Sequence, residues 1–171
     1  MKRYGTILLY LIAAEILTLF INVTLSVFGG TAFRVITSVC TVGILVVLMI
    51  QAGSRLGKED KKRRNAGEKT PHIAGAGILA SLPMGICWLL LLLEKCSVMT
   101  AGFYRFYKLL CAPFLQICNL LSADVTADTL PWMGVVLLGV LSLLPAAAVC
   151  ISYVMVMRDV QIEEIMYKKP E

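Results

Sequence analysis

Glu15 is the residue whose setting most invites chemistry. It stands near the centre of an apolar block, Tyr4 to Gly29, in which it is the one side chain able to carry charge at neutral pH. A charge at that depth in a bilayer costs at least about 2.5 kcal/mol on insertion scales, so Glu15 must face protein or water. Thr18, Asn22 and Ser26 follow at steps of three, four and four, which places all four on one helical stripe. Thr41, Ser81 and Ser142 fall at comparable depth in the other apolar blocks, which predicts a polar mid-membrane layer. No Lys, Arg or His accompanies them there, so desolvation favours the uncharged carboxyl. Two roles fit Glu15: structural glue, a neutral glutamate joining two helices by a hydrogen bond, or a proton or cation site. The first ranks higher.

Other chemistry-bearing residues give less. The six cysteines, Cys40, Cys87, Cys96, Cys111, Cys118 and Cys150, contain no C-x-x-C pair of the kind that four-span thiol oxidoreductases carry at a membrane surface. They read as small buried hydrophobes. His72 is the single histidine, so no H-E-x-x-H zinc site exists, and neither a G-x-S-x-G elbow nor a Walker loop occurs. Glu163 and Glu164 resemble the paired glutamates of intramembrane CAAX-type proteases, but they fall in a polar tail and lack that family's histidines. No metal or other cofactor is expected.

The elements that must position these residues are membrane helices. Of 171 residues, 58% are hydrophobic and 16% charged, with a mean hydropathy of +0.82, against roughly a quarter charged in soluble domains. The apolar residues form long blocks, and spans are predicted at about 5–28, 35–53, 73–93 and 132–156. Each is close to or beyond the ~20 residues that carry a helix across ~30 Å of hydrocarbon. A transmembrane barrel would alternate polar and apolar residues, and these blocks do not. The first block is too long for a signal-peptide core and no A-x-A site follows it, so it is expected to be a retained span. The fold class is therefore an all-α integral membrane bundle forming a single domain.

Lys and Arg counts set the expected orientation. With the N-terminus inside, the cytoplasmic side holds Lys2, Arg3, Arg55, Lys58, Lys61, Lys62, Arg63, Arg64, Lys69, Arg158, Lys168 and Lys169; the outside holds Arg34, Lys95, Arg105 and Lys108. This makes 54–72 a basic cytoplasmic loop and 158–171 a cytoplasmic tail, in a multi-pass plasma membrane protein. The basic loop suits anionic lipid headgroups, contacted by Arg55, Lys58, Lys61, Lys62, Arg63 and Arg64. No nucleic acid is expected as partner.

The segment 101–122 is amphipathic. Phe103, Phe106, Tyr107, Leu110, Phe114, Ile117 and Leu121 share one stripe, and Arg105, Lys108, Gln116 and Asn119 the other. The pattern predicts an outer-side helix with its aromatic face in the lipid boundary, or a re-entrant path kinked at Pro113, ahead of a fifth span. Small residues at four-residue spacing, Gly77, Ser81 and Gly85 in the third span and Ser142, Ala146 and Cys150 in the fourth, predict close helix packing. They serve the bundle itself or dock another membrane protein or a second copy. Pro83 and Pro145 are expected to kink these two spans.

Short motifs recur through the chain: Arg55-Leu56-Gly57-Lys58-Glu59-Asp60, Arg64-Asn65, Gly77, Ser81-Leu82-Pro83, Tyr107-Lys108-Leu109, Ala112-Pro113-Phe114, Tyr153, Arg158-Asp159 and Met166-Tyr167-Lys168-Lys169. Their layout resembles small uncharacterised multi-span membrane proteins of Gram-positive bacteria over most of the length, departing where Met155 and Val156 replace a usual glycine. The resemblance implies a bacterial plasma membrane and no particular activity. The leading expectation is a non-enzymatic accessory or partner-binding membrane protein. A transporter or channel component using Glu15 ranks second, and an intramembrane enzyme third.

Overall fold

The structure, a computed structural model, describes residues 2–25, 30–68, 73–98, 102–124 and 126–158. Ser26, Lys69, His72, Glu163, Glu164, Lys168 and Lys169 lie outside the described residues, as do the side chains of Lys2 and Arg3. The chain is an all-α bundle: α1 Lys2–Leu25, α2 Thr31–Asn65, α3 Ala74–Lys95, α4 Phe103–Leu110, α5 Leu115–Leu121, α6 Trp132–Ser142 and α7 Leu144–Met157. Four units are long and apolar enough to cross a membrane: α1, α2, α3, and α6 with α7 taken together. Their outward faces carry Leu9, Ile16, Phe20, Val39, Ile78 and Val140, all well exposed, as lipid-facing surfaces require.

The long helix α2 is the axis of the bundle. Its buried positions, among them Thr37, Thr41, Leu45, Met49, Ala52, Leu56 and Asp60, recur at three or four residues and form one continuous seam. Against that seam pack α7, most extensively, and α1. At 35 residues it is about 52 Å long, beyond the ~30 Å of a hydrocarbon core. The expected loop 54–72 is accordingly corrected: it continues α2 as helix to Asn65. Lys62, Arg63 and Arg64 occupy its last turn, where positive charge complements the helix dipole. Gly67, at φ +80°, then turns the chain in the left-handed region, with the Glu68 N–H returning to the Arg63 carbonyl at 3.1 Å.

Two glycines let α7 approach this projecting part of α2. A Cβ on Gly53 would run into the Val149 backbone and the Ser152 hydroxyl, and one on Gly57 would lie 2.9 Å from Val156 Cβ. Beyond them the buried Tyr153 hydroxyl donates to Asp60 Oδ2 at 3.0 Å. Asp60 is thereby buried beside the basic run.

The last span is two helices rather than one. It breaks at Leu143, where the Pro145 ring lacks an N–H and occupies the first turn of α7. By contrast α3 runs unbroken through Pro83.

Candidate functional site

Residues 102–122 form a helical hairpin that enters and leaves the bundle at one end. At the entrance, buried Glu94 at the end of α3 accepts from the backbone N–H groups of Gly102 and Tyr104, both at 2.7 Å. A carboxylate thus caps the start of α4, where exposed donors and the dipole favour negative charge. At the exit, Lys95 Nζ donates to the carbonyls of Ala127 (3.1 Å) and Asp128 (2.8 Å). Both legs are therefore tied to the same turn of α3. With eight and seven residues, α4 and α5 reach about 12 and 10 Å, too short to cross.

The tip, 111–114, lies beside the middle of α1 and α2. Glu15 Oε2 accepts from the Ala112 N–H at 3.0 Å, Asn22 Nδ2 donates to the Ala112 carbonyl at 2.8 Å, and Thr41 Oγ1 donates to the Pro113 carbonyl at 2.9 Å. Thr41 is ten residues into α2, so the tip sits about 15 Å below that helix end. The geometry is explained by satisfaction: non-helical backbone buried between helices must find partners, and side chains of α1 and α2 supply them.

This rearranges the amphipathic reading. The aromatic stripe does not turn as a whole to the lipid boundary, for Tyr107 and Phe114 are fully buried against the bundle while Phe106 and Leu110 are exposed. Tyr104, assigned to neither stripe, is buried and its hydroxyl donates to the Cys118 carbonyl at 3.1 Å. Lys108 folds back over the Tyr104 ring, 4.5 Å from its centroid, to reach the Ser122 and Asp124 carbonyls at 3.0 and 2.9 Å.

The residues expected to form a polar mid-membrane layer make their hydrogen bonds at separate places. Glu15, Asn22 and Thr41 gather at the hairpin tip, while Thr18 bonds back to the carbonyls of Ala14 and Glu15 on its own helix. Ser81 belongs instead to the α6–α7 break, where its hydroxyl accepts from the Ala146 N–H at 3.1 Å. Ser142 bonds within its own helix, to the Gly139 carbonyl at 2.7 Å.

Of the expected packing residues, Gly77 meets Cys150 and Ala146 of α7 closely. Gly85 does not pack: a Cβ there would meet nothing within 4 Å. It lines an apolar groove of about 750 Å³ between α3 and α6, with Leu82, Leu89, Val136, Gly139 and Leu143 among its walls. Trp88 closes one side, its indole lying on Gly139 and its Nε1 donating to the Val135 carbonyl at 2.8 Å.

Cys111 at the hairpin tip is fully buried and Cys87 of α3 is half-buried, and both are free thiols. Nearby, the fully buried Tyr107 hydroxyl has no hydrogen-bond partner, and the same holds for Asn22 Oδ1. Among the described residues no three His, Cys, Asp or Glu side chains converge as a metal site.

Sequence reasoning missed Glu94, Trp88 and the Gly53/Gly57 pair. The glycine pair alone had a readable signal, its four-residue spacing. Arg55, Lys58, Lys62, Arg63 and Arg64 are placed along the projecting end of α2 and are exposed, with Lys61 half-buried. Arg55 pairs with Glu59 at 3.5 Å, an exposed contact of small energetic weight. No family model, curated protein or solved structure matches this chain.

Proposed function

We propose that this chain is a non-enzymatic accessory protein of a bacterial plasma membrane that binds a membrane helix of a partner protein. The observation that carries the reading is a contrast between polar and apolar features. Glu15, Thr41 and Ser81 are engaged in holding the protein's own irregular backbone, whereas the groove between α3 and α6 is apolar and open beside Gly85. Its α3 wall runs from Ile78 to Leu89, about 16 Å, enough for a close crossing with a helix of ~10 Å diameter. Small residues at such a crossing let backbones approach, which is where helix association in lipid gains its packing energy. The occupant we assign is a helix of a different chain; a second copy is the alternative that the test separates.

In this reading both termini are cytoplasmic, the hairpin opens to the outer side, and the basic end of α2 contacts anionic headgroups. Reporter fusions after residues 62 and 126 check it: an outside signal at 62 overturns the orientation. Native-membrane purification tests the docking function. Wild type is expected to retain a discrete partner that Gly85→Leu, which fills the groove, loses without loss of thermal stability; equal recovery with both overturns the groove as the site.

A transport role rests on one specific observation, the carboxyl of Glu15 at the tip of a hairpin in mid-bundle. Broken backbone at membrane depth is a feature of ion and substrate sites. Proton or sodium uptake by wild-type proteoliposomes that disappears in a stably folded Glu15→Gln variant would establish it.

A further inference from the structure

The walls of the α3–α6 groove include Ser81 and Ser142, which meet at the break between α6 and α7. There a helical hydrogen bond is diverted. In an unbroken helix the Ser142 carbonyl takes the N–H of residue 146, or that of residue 145 in a tighter turn. Residue 145 is proline and has none, and the Ala146 N–H turns to Ser81 Oγ at 3.1 Å. The backbone bonds that bridge the break run from Leu143 to the Val140 carbonyl and from Ala147 to the Leu143 carbonyl, both at 3.1 Å. Among the described residues, the Ser142 carbonyl is therefore left without a donor. Ser81 is left over in the opposite sense. Thr37, Ser38 and Ser152 donate back to carbonyls of their own helices, whereas the Ser81 hydroxyl accepts from Ala146 and, among the described residues, has no acceptor for its own hydrogen. The other polar groups of the wall are paired, Ser142 Oγ with the Gly139 carbonyl and Trp88 Nε1 with that of Val135. Ser81 and Ser142 are both more than nine-tenths buried, at a depth where lipid satisfies neither group.

One acceptor and one donor, left over at the same break, call for a group that carries both. We propose that the helix docking in the groove presents a carboxamide side chain, Asn or Gln, to this break. Its NH2 donates to the Ser142 carbonyl, and its carbonyl oxygen accepts from the Ser81 hydroxyl. The proposal rests on the docking function above and names the chemistry that selects the partner. Charged groups fit less well: an ammonium or guanidinium has no acceptor for Ser81, a carboxylate has no donor for Ser142, and each is costly at this depth. A hydroxyl carries both functions on one oxygen, whereas the amide carries them on two atoms, as two groups on different residues require. Ser81 lies one turn, about 6 Å, from Gly85. The amide thus sits one turn from the point where Gly85 leaves room for close approach. Apolar contact with walls such as Ile86 and Leu89 favours any helix of suitable shape. The amide supplies choice, because a Leu in its place leaves both polar groups unsatisfied.

The test uses the full chain in lipid vesicles and synthetic spanning helices of Leu and Ala with Lys at both ends. One helix set carries Asn one turn to either side of its centre, a second carries Ser there, and a third carries Leu. Energy transfer between labelled protein and labelled helix reads binding, with self-association of each helix measured in protein-free vesicles. The Asn helix, in one of its two registers, is expected to bind roughly 3- to 20-fold more tightly than the Leu helix, the gain that one interhelical hydrogen bond gives in a bilayer. Gly85→Leu is expected to abolish binding of all helices, and Ser81→Ala to lower the preference for Asn. Thermal unfolding of each variant is recorded alongside; if Ser81→Ala does not fold, the comparison of helices on the wild type decides. Equal binding of the Asn and Leu helices, lost with Gly85→Leu, overturns the amide and leaves groove docking standing. Binding that Gly85→Leu does not change overturns the groove as well. A Ser helix that binds as tightly as Asn, a preference unchanged in folded Ser81→Ala, or binding by none of the helices overturns the assignment.

Discussion

The carboxyl of Glu15 accepts a hydrogen bond from the Ala112 N–H at 3.0 Å, across 97 positions of sequence. One charged-type residue in an apolar helix is thereby matched to one backbone donor that the hairpin turn leaves without a helical partner. The neighbouring Asn22 and Thr41 serve the carbonyls of the same turn. The most costly residue of α1 and the most irregular backbone of the bundle offset each other, because each satisfies a need that lipid cannot.

Substitution of Glu15 should follow this pairing. Glu15→Gln keeps a carbonyl acceptor and is expected to unfold within about 0.5 kcal/mol of wild type, whereas Glu15→Leu strands the buried Ala112 N–H at about 1–3 kcal/mol. Thermal unfolding in one detergent reads both. A Gln variant as weak as the Leu variant would contradict the assignment.

Ser81 makes a parallel case at the α6–α7 break. Ser81→Ala removes the acceptor of the Ala146 N–H and is expected to cost about 1–3 kcal/mol. Ser142→Ala removes only a bond within its own helix, so its loss should be smaller in the same unfolding assay.

The glycines should divide by what surrounds them. Gly53→Ala drives a methyl into the Val149 backbone, and overpacking of this kind costs about 1–3 kcal/mol. Gly85→Ala meets open space and should leave the unfolding temperature unchanged. Comparable losses at the two positions would contradict the packing of α2 on α7.

Thiol reactivity checks the bundle as a whole. Cys96 is exposed beyond the end of α3, Cys40 is exposed on the apolar face of α2, and Cys118 is buried. A charged maleimide should label Cys96 rapidly, a membrane-permeant one should add Cys40, and Cys118 should react only after unfolding. Mass spectrometry of the native protein reads the order, and early labelling of Cys118 would contradict the hairpin packing.

How much of this was readable in the sequence depended on whether the signal was local. Apolar length alone marked the four spanning units, since a helix in lipid is recognisable without its neighbours. Pro113 marked the hairpin turn, and Pro145 the broken last span. The Glu15 stripe was visible as well, but not its target, because nothing about Ala112 or Pro113 distinguishes them until the fold brings the tip beside α1 and α2. Gly85 and Gly77 looked equivalent by spacing, yet one packs on α7 and the other opens to the groove. The basic run 55–64 looked like a loop because charge dominates its composition, and the seam that keeps it helical, Leu56, Gly57 and Asp60, shows only once α7 lies against it.

The docking claim is tested most directly by photo-crosslinking in native membranes. A photoreactive residue is placed at Leu89, in the wall of the groove, and for comparison at Ile16, 65% exposed on α1. A discrete adduct at 89 with a protein other than this chain is expected, abolished by Gly85→Leu in the same background, with lipid adducts alone at 16. Adducts at 89 that are only lipid, that join two copies of this chain, or that persist with Gly85→Leu would contradict the docking claim.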